Sequence, residues 1–171
     1  KHQIILQGPP GTGKTRQAKL VAQELIKPKI IRKPQGLIDE LISQGEYEVI
    51  QFHPAYSYED FVRGIVAETT DDGHIKYTVE NKILAKFAQK AKHNPNGKYV
   101  LIIDEINRAN LPSVLGELIY ALEYRNEPVT SMYEFESDKR IILPKNLYII
   151  GTMNTADRSV GHIDYAIRRR F

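Results

Sequence analysis

Residues 8–15 read GPPGTGKT. The order of residue types is that of a phosphate-binding loop, G-x-x-x-x-G-K-[ST], and the chemistry explains it. Backbone N–H groups must turn inward around phosphate oxygens, and side chains would block that approach. Gly8, Gly11 and Gly13 permit it, and Pro9, Pro10 and Thr12 complete the loop. Lys14 can reach the β- and γ-phosphates, and the Thr15 hydroxyl can ligate Mg²⁺. A helix that starts here aims the positive end of its dipole at the same anions.

Three more groups could work with that loop. LIIDE (101–105) carries Asp104 and Glu105 to the end of an apolar run. Asp104 would hold Mg²⁺, directly or through water, and Glu105 would polarise an attacking water as a base. Alone, an acid pair after a strand is weak, because acids often cap helices. With a phosphate loop upstream it is the natural partner. In GTMNTADRS (151–159), Asn154 can orient water near a γ-phosphate, although a turn cap is the plainer reading of that residue alone. Asp157 and Arg158 read equally well as a local ion pair. RRR at 168–170 sits on an apolar framework of Ile163, Tyr165, Ile167 and Phe171. Three consecutive arginines on a helix point in three directions, so at most two serve one site. One role is an arginine finger that enters a neighbouring subunit's site. The other is a solvated basic helix end, where cations are favoured. His53 has no second ligand at metal spacing, and Tyr56, Tyr58 and Phe61 read as core or interface.

Positioning these groups takes strands and helices in alternation, the pattern of a parallel sheet covered by helices. QIIL (3–6), YEVIQF (47–52), KYVLIID (98–104) and LYIIGTMN (147–154) read as strands. Helical spacing runs through Ala18–Ile26, Ile83–Ala91 and Leu111–Leu122, with shorter helices expected at 37–42, at 58–66 and in the closing residues. Residues 71–79 and 129–143 read as hairpins, and 27–46, with its prolines and glycines, as a connection. Every chemical group falls at or just after the C-terminal end of a strand, where open parallel sheets bind ligands.

The chain has 171 residues, enough for a single domain, residues 1–171. Hydrophobic residues make up 42% and charged residues 26%, the balance of a soluble globular protein. No apolar run approaches the length needed to span a bilayer, and the chain opens on no signal peptide. With no cysteine, disulfides and thiolate metal sites are excluded, which fits a cytoplasmic protein. A net charge of +3 is too small to argue for nucleic acid by itself. The chain opens without Met and reads as an excised module of a larger protein.

Taken together, GPPGTGKT, QFHPAYSYEDFVRG, LIIDEINRAN, GEL and IIGTMNTADRS followed by IDYAIRRRF resemble the AAA+ domains of the McrB family, the nucleotide-driven motors of modification-dependent restriction systems. The likeness runs from residue 3 to 171, and the MNTADRS…DYAIRRRF pair is its most specific part. It implies a P-loop α/β core of five parallel strands ordered 5-1-4-3-2, with small hairpin insertions, ending before the helical lid. It also implies a hexameric ring with sites between subunits, a McrC-like nuclease partner, and DNA handled through the ring and through further domains. By matching position, Gly8–Thr15 and the pair Asp104–Glu105 are the Walker A and Walker B motifs. Asn154 matches sensor I, Arg169 and Arg170 the fingers, and Asp164 a residue that orients them. Asn107 and Arg108 of INRAN belong to an interface, and Asp157 and Arg158 to the signature. GTP is the favoured substrate over ATP by this likeness alone. Asn81–Lys82 is followed by Ile83 and Leu84 rather than by a guanine-reading Asp, but the family does not use that motif, so its absence decides nothing. Two alternatives remain open: a protein-remodelling ATPase of the MoxR kind and a slow nucleotide-gated scaffold.

Overall fold

A computed structural model describes residues 2–26, 45–155 and 163–171. The chain begins with strand β1 (Gln3–Gly8), the loop, and helix α1 (Lys14–Ile26). Strand β2 (Glu46–Gln51), helix α2 (Tyr58–Phe61) and the hairpin β3 (Arg63–Thr69)–β4 (Ile75–Asn81) follow. Next come helix α3 (Ile83–His93), strand β5 (Tyr99–Asp104) and a 3-10 turn at Ile106–Arg108. Helices α4 (Leu111–Leu115) and α5 (Leu118–Glu123) lead to the hairpin β6 (Pro128–Phe135)–β7 (Asp138–Ile142). Strand β8 (Leu147–Asn154) and helix α6 (Tyr165–Arg168) close the order. The expected helix at 37–42 lies outside the described residues.

Four strands form one parallel sheet in the order β1-β8-β5-β2. This is the expected relative order, 1-4-3-2, for four of the five strands. A fifth, on the free edge of β1, is not among the described residues. At the foot of β1, Gln3 Nε2 holds the carbonyl of Arg170, just after α6.

Composition explains why β5 is central. Residues 99–103 are buried without alternation, as they must be in a strand covered on both faces. Val100 and Ile102 face α1, whose Ala18 and Ala22 are small enough to let the helix lie close. Leu101 and Ile103 face the larger core, built with Phe52, Leu84, Phe87 and Leu118. The aromatic run after β2 belongs to this core: Phe52 stacks on Tyr56 at 4.6 Å and meets Phe61 edge-on at 5.2 Å.

Two expectations are corrected. The helix expected over 58–66 stops at Phe61. A capping box, in which Ser57 and Asp60 each satisfy the other's backbone N–H, starts it, but Arg63–Thr69 pairs with Ile75–Asn81 instead. The single helix over Leu111–Leu122 is broken in two at Gly116, which adopts φ 51°. A side chain is disfavoured there by the backbone and would touch the Tyr58 ring at 3.4 Å. One side chain ties both hairpins together. Buried Arg63 donates to Asn81 Oδ1 (2.7 Å) and to the carbonyls of Tyr133, Asp138 and Arg140 (3.1–3.3 Å). No helix among the described residues is long and apolar enough to cross a membrane.

Candidate functional site: a phosphate loop beside two acids

The register of the sheet brings the chemical groups to one edge. Gly8 lies opposite Asn154, and Gln51 opposite Asp104, so β1, β8, β5 and β2 all end together. Residues far apart in the chain converge because parallel strands of similar length all finish on the same side.

The loop turns at Gly11 and Gly13, both at φ 77°. That left-handed conformation is open to glycine and strained for other residues. Thr12 Oγ1 closes the turn by donating to Pro9 O at 2.9 Å. Lys14 folds back over the loop, and its ammonium donates to Gly8 O (3.1 Å), Pro9 O (2.7 Å) and Asn154 Oδ1 (2.7 Å). These acceptors hold three donors of the kind a phosphate would take. The Thr15 hydroxyl donates to Asp104 Oδ1 at 2.7 Å.

Thr152 supports Asp104 from the other side. Its hydroxyl donates to the same Oδ1 at 2.5 Å and accepts from the Glu105 N–H at 3.3 Å. Sequence reasoning missed this residue. The one available signal was a polar side chain at an inward position of an otherwise apolar strand.

Glu105 has φ 54° and ψ 44°, a left-handed conformation that costs a non-glycine residue about 1–3 kcal/mol. The strain turns its carboxylate back towards the loop. Asn154 Nδ2 donates to Oε1, and Arg108 Nε donates to Oε2 at 3.3 Å. Lys14, Asn154, Glu105 and Arg108 therefore form one continuous polar chain. Two acceptor-only carboxylates, a cation and a bifunctional amide meet above a loop built for anions.

The donor set also fits a magnesium ion. Two hard oxygen donors, from Thr15 and Asp104, lie side by side next to the phosphate loop. Among the described residues no group of three or more His, Cys, Asp or Glu could cage a metal alone. A cation here would complete its shell from phosphate and water, as Mg²⁺ characteristically does.

The remaining expected residues fall in two other places. Asn107, Arg108 and Asp164 line one cleft of about 440 Å³. Asn107 is buried there, and its Oδ1 has no hydrogen-bond partner among the described residues. Asp164 caps α6 by accepting from Ala166 N at 3.2 Å. Arg169 and Arg170 lie at the opposite end of β1 from the loop. Gln3 Nε2 donates to Arg170 O at 2.6 Å, and Gln3 opens the strand that Gly8 closes. At about 3.3 Å per residue the two ends are roughly 17 Å apart. The structure thus does not bring these arginines to the phosphate loop of their own chain. Asp157 and Arg158 lie outside the described residues. Asn81 and Lys82 serve other places: Asn81 accepts from Arg63, and Lys82 stands at the N-terminal boundary of α3 without a side-chain cap bond.

Comparison with known proteins adds a family to this geometry. Residues 3–171 match the AAA domain, dynein-related subfamily. The whole chain aligns at 42% identity with 34% of the type IV methyl-directed restriction enzyme EcoKMcrB subunit of Escherichia coli. An alignment of 96 positions, covering 48% of the chain and 28% of its relative, is 38% identical to the type II restriction enzyme BsuMI component YdiS of Bacillus subtilis. The chain thus spans about a third or less of the curated relatives it matches. A crystal structure from Cytophaga hutchinsonii superposes with a TM-score of 0.56 over 99% of this chain and 39% of its own, at 17% identity, a likeness of fold.

Proposed function

Since the chain belongs to the dynein-related AAA domain family and is a McrB-type AAA+ domain, we propose that it hydrolyses nucleoside triphosphates with Mg²⁺. GTP is favoured over ATP by the likeness to McrB. The full-length protein works as a hexameric ring in the cytoplasm, with a McrC-like nuclease partner, and drives DNA translocation for restriction at modified sites.

The observation that carries this reading is the joined cluster of Lys14, Thr15, Asp104, Glu105 and Asn154 at one sheet edge. Backbone N–H groups of Gly8–Thr15 wrap the phosphates. Lys14 exchanges its loop carbonyls for β- and γ-phosphate oxygens. Thr15 and Asp104 would hold Mg²⁺, which would supply neutralisation of charge on the phosphates. Glu105 takes the proton of the attacking water, and Asn154 keeps that water and the carboxylate in line. An arginine of the pair Arg169–Arg170 enters from the neighbouring subunit and stabilises charge on the transferred phosphoryl group, an effect worth about 10³–10⁵ in rate. The distance between these arginines and their own loop supports action in trans. Asn107, Arg108 and Asp164, around their shared cleft, belong to the same subunit boundary, and Asp157 and Arg158 to its signature segment.

The test is hydrolysis of GTP and of ATP by the full-length protein, with Mg²⁺ or EDTA, alone and with the nuclease partner. Magnesium-dependent release of phosphate that Glu105→Gln abolishes is expected. Equal release by wild type and Glu105→Gln would remove the proposed chemistry from this site.

A further inference from the structure

The foot of β1 carries an arrangement that the hydrolytic cluster does not use. Gln3 is 6% exposed, and its amide is fully engaged. Nε2 donates to Leu122 O (2.9 Å) and Arg170 O (2.6 Å), and Oε1 accepts from Arg125 Nη2 at 2.7 Å. Arg125 Nη1 donates on to Leu147 O at 3.2 Å, at the start of β8. Gln3 thus joins β1, the end of α5 and the residue that ends the arginine run, and Arg125 extends the tie to β8.

Arg125 is 8% exposed and no carboxylate pairs with it among the described residues. Burial lowers its pKa to about 10. Burial, and next the Arg125 charge, also hold His2 below its usual range. A buried cation without a counter-ion weakens the fold, and apolar residues of similar volume would pack there more stably. Its presence asks for a task.

The two terminal arginines divide their work. Arg170 is only 14% exposed in its side chain, which donates to Ala166 O and meets Glu123 Oε2 at 3.0 Å, while its carbonyl is held by Gln3. Arg169 is 55% exposed and rests one nitrogen on Glu123 at 3.3 Å. Arg170 is built as an anchor and Arg169 as an arm.

We infer that Gln3 and Arg125 are positioning residues for the arginine that serves the neighbouring subunit. They fix the backbone of Arg170 to the foot of the phosphate-loop strand, so that Arg169 projects at a set place. The inference rests on the reading of Arg169 as a finger acting in trans. A displacement of about 1 Å in a catalytic group can lower a rate by roughly 10²-fold, so a loosened anchor matters even though it touches no substrate.

The experiment uses full-length protein and mixed rings, with differently tagged subunits to verify mixing. Gln3→Glu keeps an acceptor for Arg125 but removes the donor to Arg170 O. It should bind GTP or ATP with wild-type affinity and unchanged KM, and turn over about 10²-fold more slowly. Mixed with Glu105→Gln subunits, which have intact arginines and no base, Gln3→Glu should regain activity at hybrid sites. Mixed with Arg169→Ala subunits it should not. A fold defect alone would impair both mixtures alike. If Gln3→Glu does not assemble, Gln3→Met removes the same tie while filling the space. Wild-type turnover in Gln3→Glu, or equal recovery in both mixtures, overturns the inference while Arg169→Ala is still rescued by Glu105→Gln. Failure of that rescue sinks the trans reading, and this inference with it.

Discussion

Thr15 Oγ1 donates to Asp104 Oδ1 across 2.7 Å, although 89 positions separate them in the chain. The contact joins the first turn of α1 to the end of β5 and sets two oxygens where a phosphate-bound cation would need them. Asp104→Asn keeps the size and removes the charge. It should reduce Mg²⁺-dependent turnover about 10²–10³-fold, the scale for losing one electrostatic stabiliser. It should also raise the Mg²⁺ concentration at half-maximal rate. Thr15→Ser, which keeps the hydroxyl, should stay near wild type. A magnesium titration of phosphate release decides; wild-type behaviour of Asp104→Asn would remove Asp104 from the cation site.

Lys14 spends its donors on Gly8 O, Pro9 O and Asn154 Oδ1. These are bonds it can trade for phosphate without moving far. Hydrogen bonds to charged groups contribute about 1.5–3 kcal/mol each. Lys14→Ala should therefore weaken nucleotide binding by at least about 10²-fold, measured by titration with a fluorescent GTP or ATP analogue. The melting temperature without nucleotide should barely change, because the bond to Pro9 O is exposed and those to Gly8 O and Asn154 Oδ1 are only part-buried, so water can replace much of what is lost. Retained affinity would contradict the phosphate-loop assignment.

Glu105 separates stability from chemistry. Its left-handed backbone is a strain that glycine would relieve. Glu105→Gly should abolish hydrolysis yet leave thermal stability equal to wild type or higher by up to about 1 kcal/mol. Glu105→Gln retains the strain and most of the geometry. It should bind nucleotide normally and hydrolyse roughly 10²–10⁴-fold more slowly, the range for a lost general base. Calorimetry beside a phosphate assay tests both at once. A Glu105→Gly protein that is several kcal/mol less stable would show that its bonds to Asn154 and Arg108 outweigh the strain.

Much of this was legible along the chain. GPPGTGKT can have few other uses between a strand and a helix, and LYIIGTMN forms a strand over the residues expected, 147–154. LIIDE is buried up to Ile103 and turns polar at Asp104, so the site's position at a strand end follows from hydropathy alone. What was not legible depends on distance. Gln3 and Arg125 meet across 122 positions, and neither type carries a local signal for burial. The break at Gly116 was hidden because apolar spacing continues through it, while the backbone there takes a positive φ of 51°. The start of β3 was hidden by a helical pattern that Arg63 overrides by reaching the other hairpin.

Arg63 offers a test of that override. Its guanidinium satisfies three carbonyls and an amide with a fixed planar fork, and it lies 5.7 Å from the centroid of Phe135. Lysine keeps the charge but is a single point donor, so it cannot reach all four acceptors. Each buried group left without a partner costs about 1–3 kcal/mol, and part of that is recovered by local rearrangement. Arg63→Lys should therefore destabilise the protein by about 2–4 kcal/mol, read from the midpoint of urea unfolding at unchanged slope. Nucleotide affinity should be unaltered in the folded fraction, because these bonds lie on the hairpins and not at the phosphate loop. Unchanged stability in Arg63→Lys would mean that the hairpins are held by their own pairing, and that the buried arginine is incidental to it.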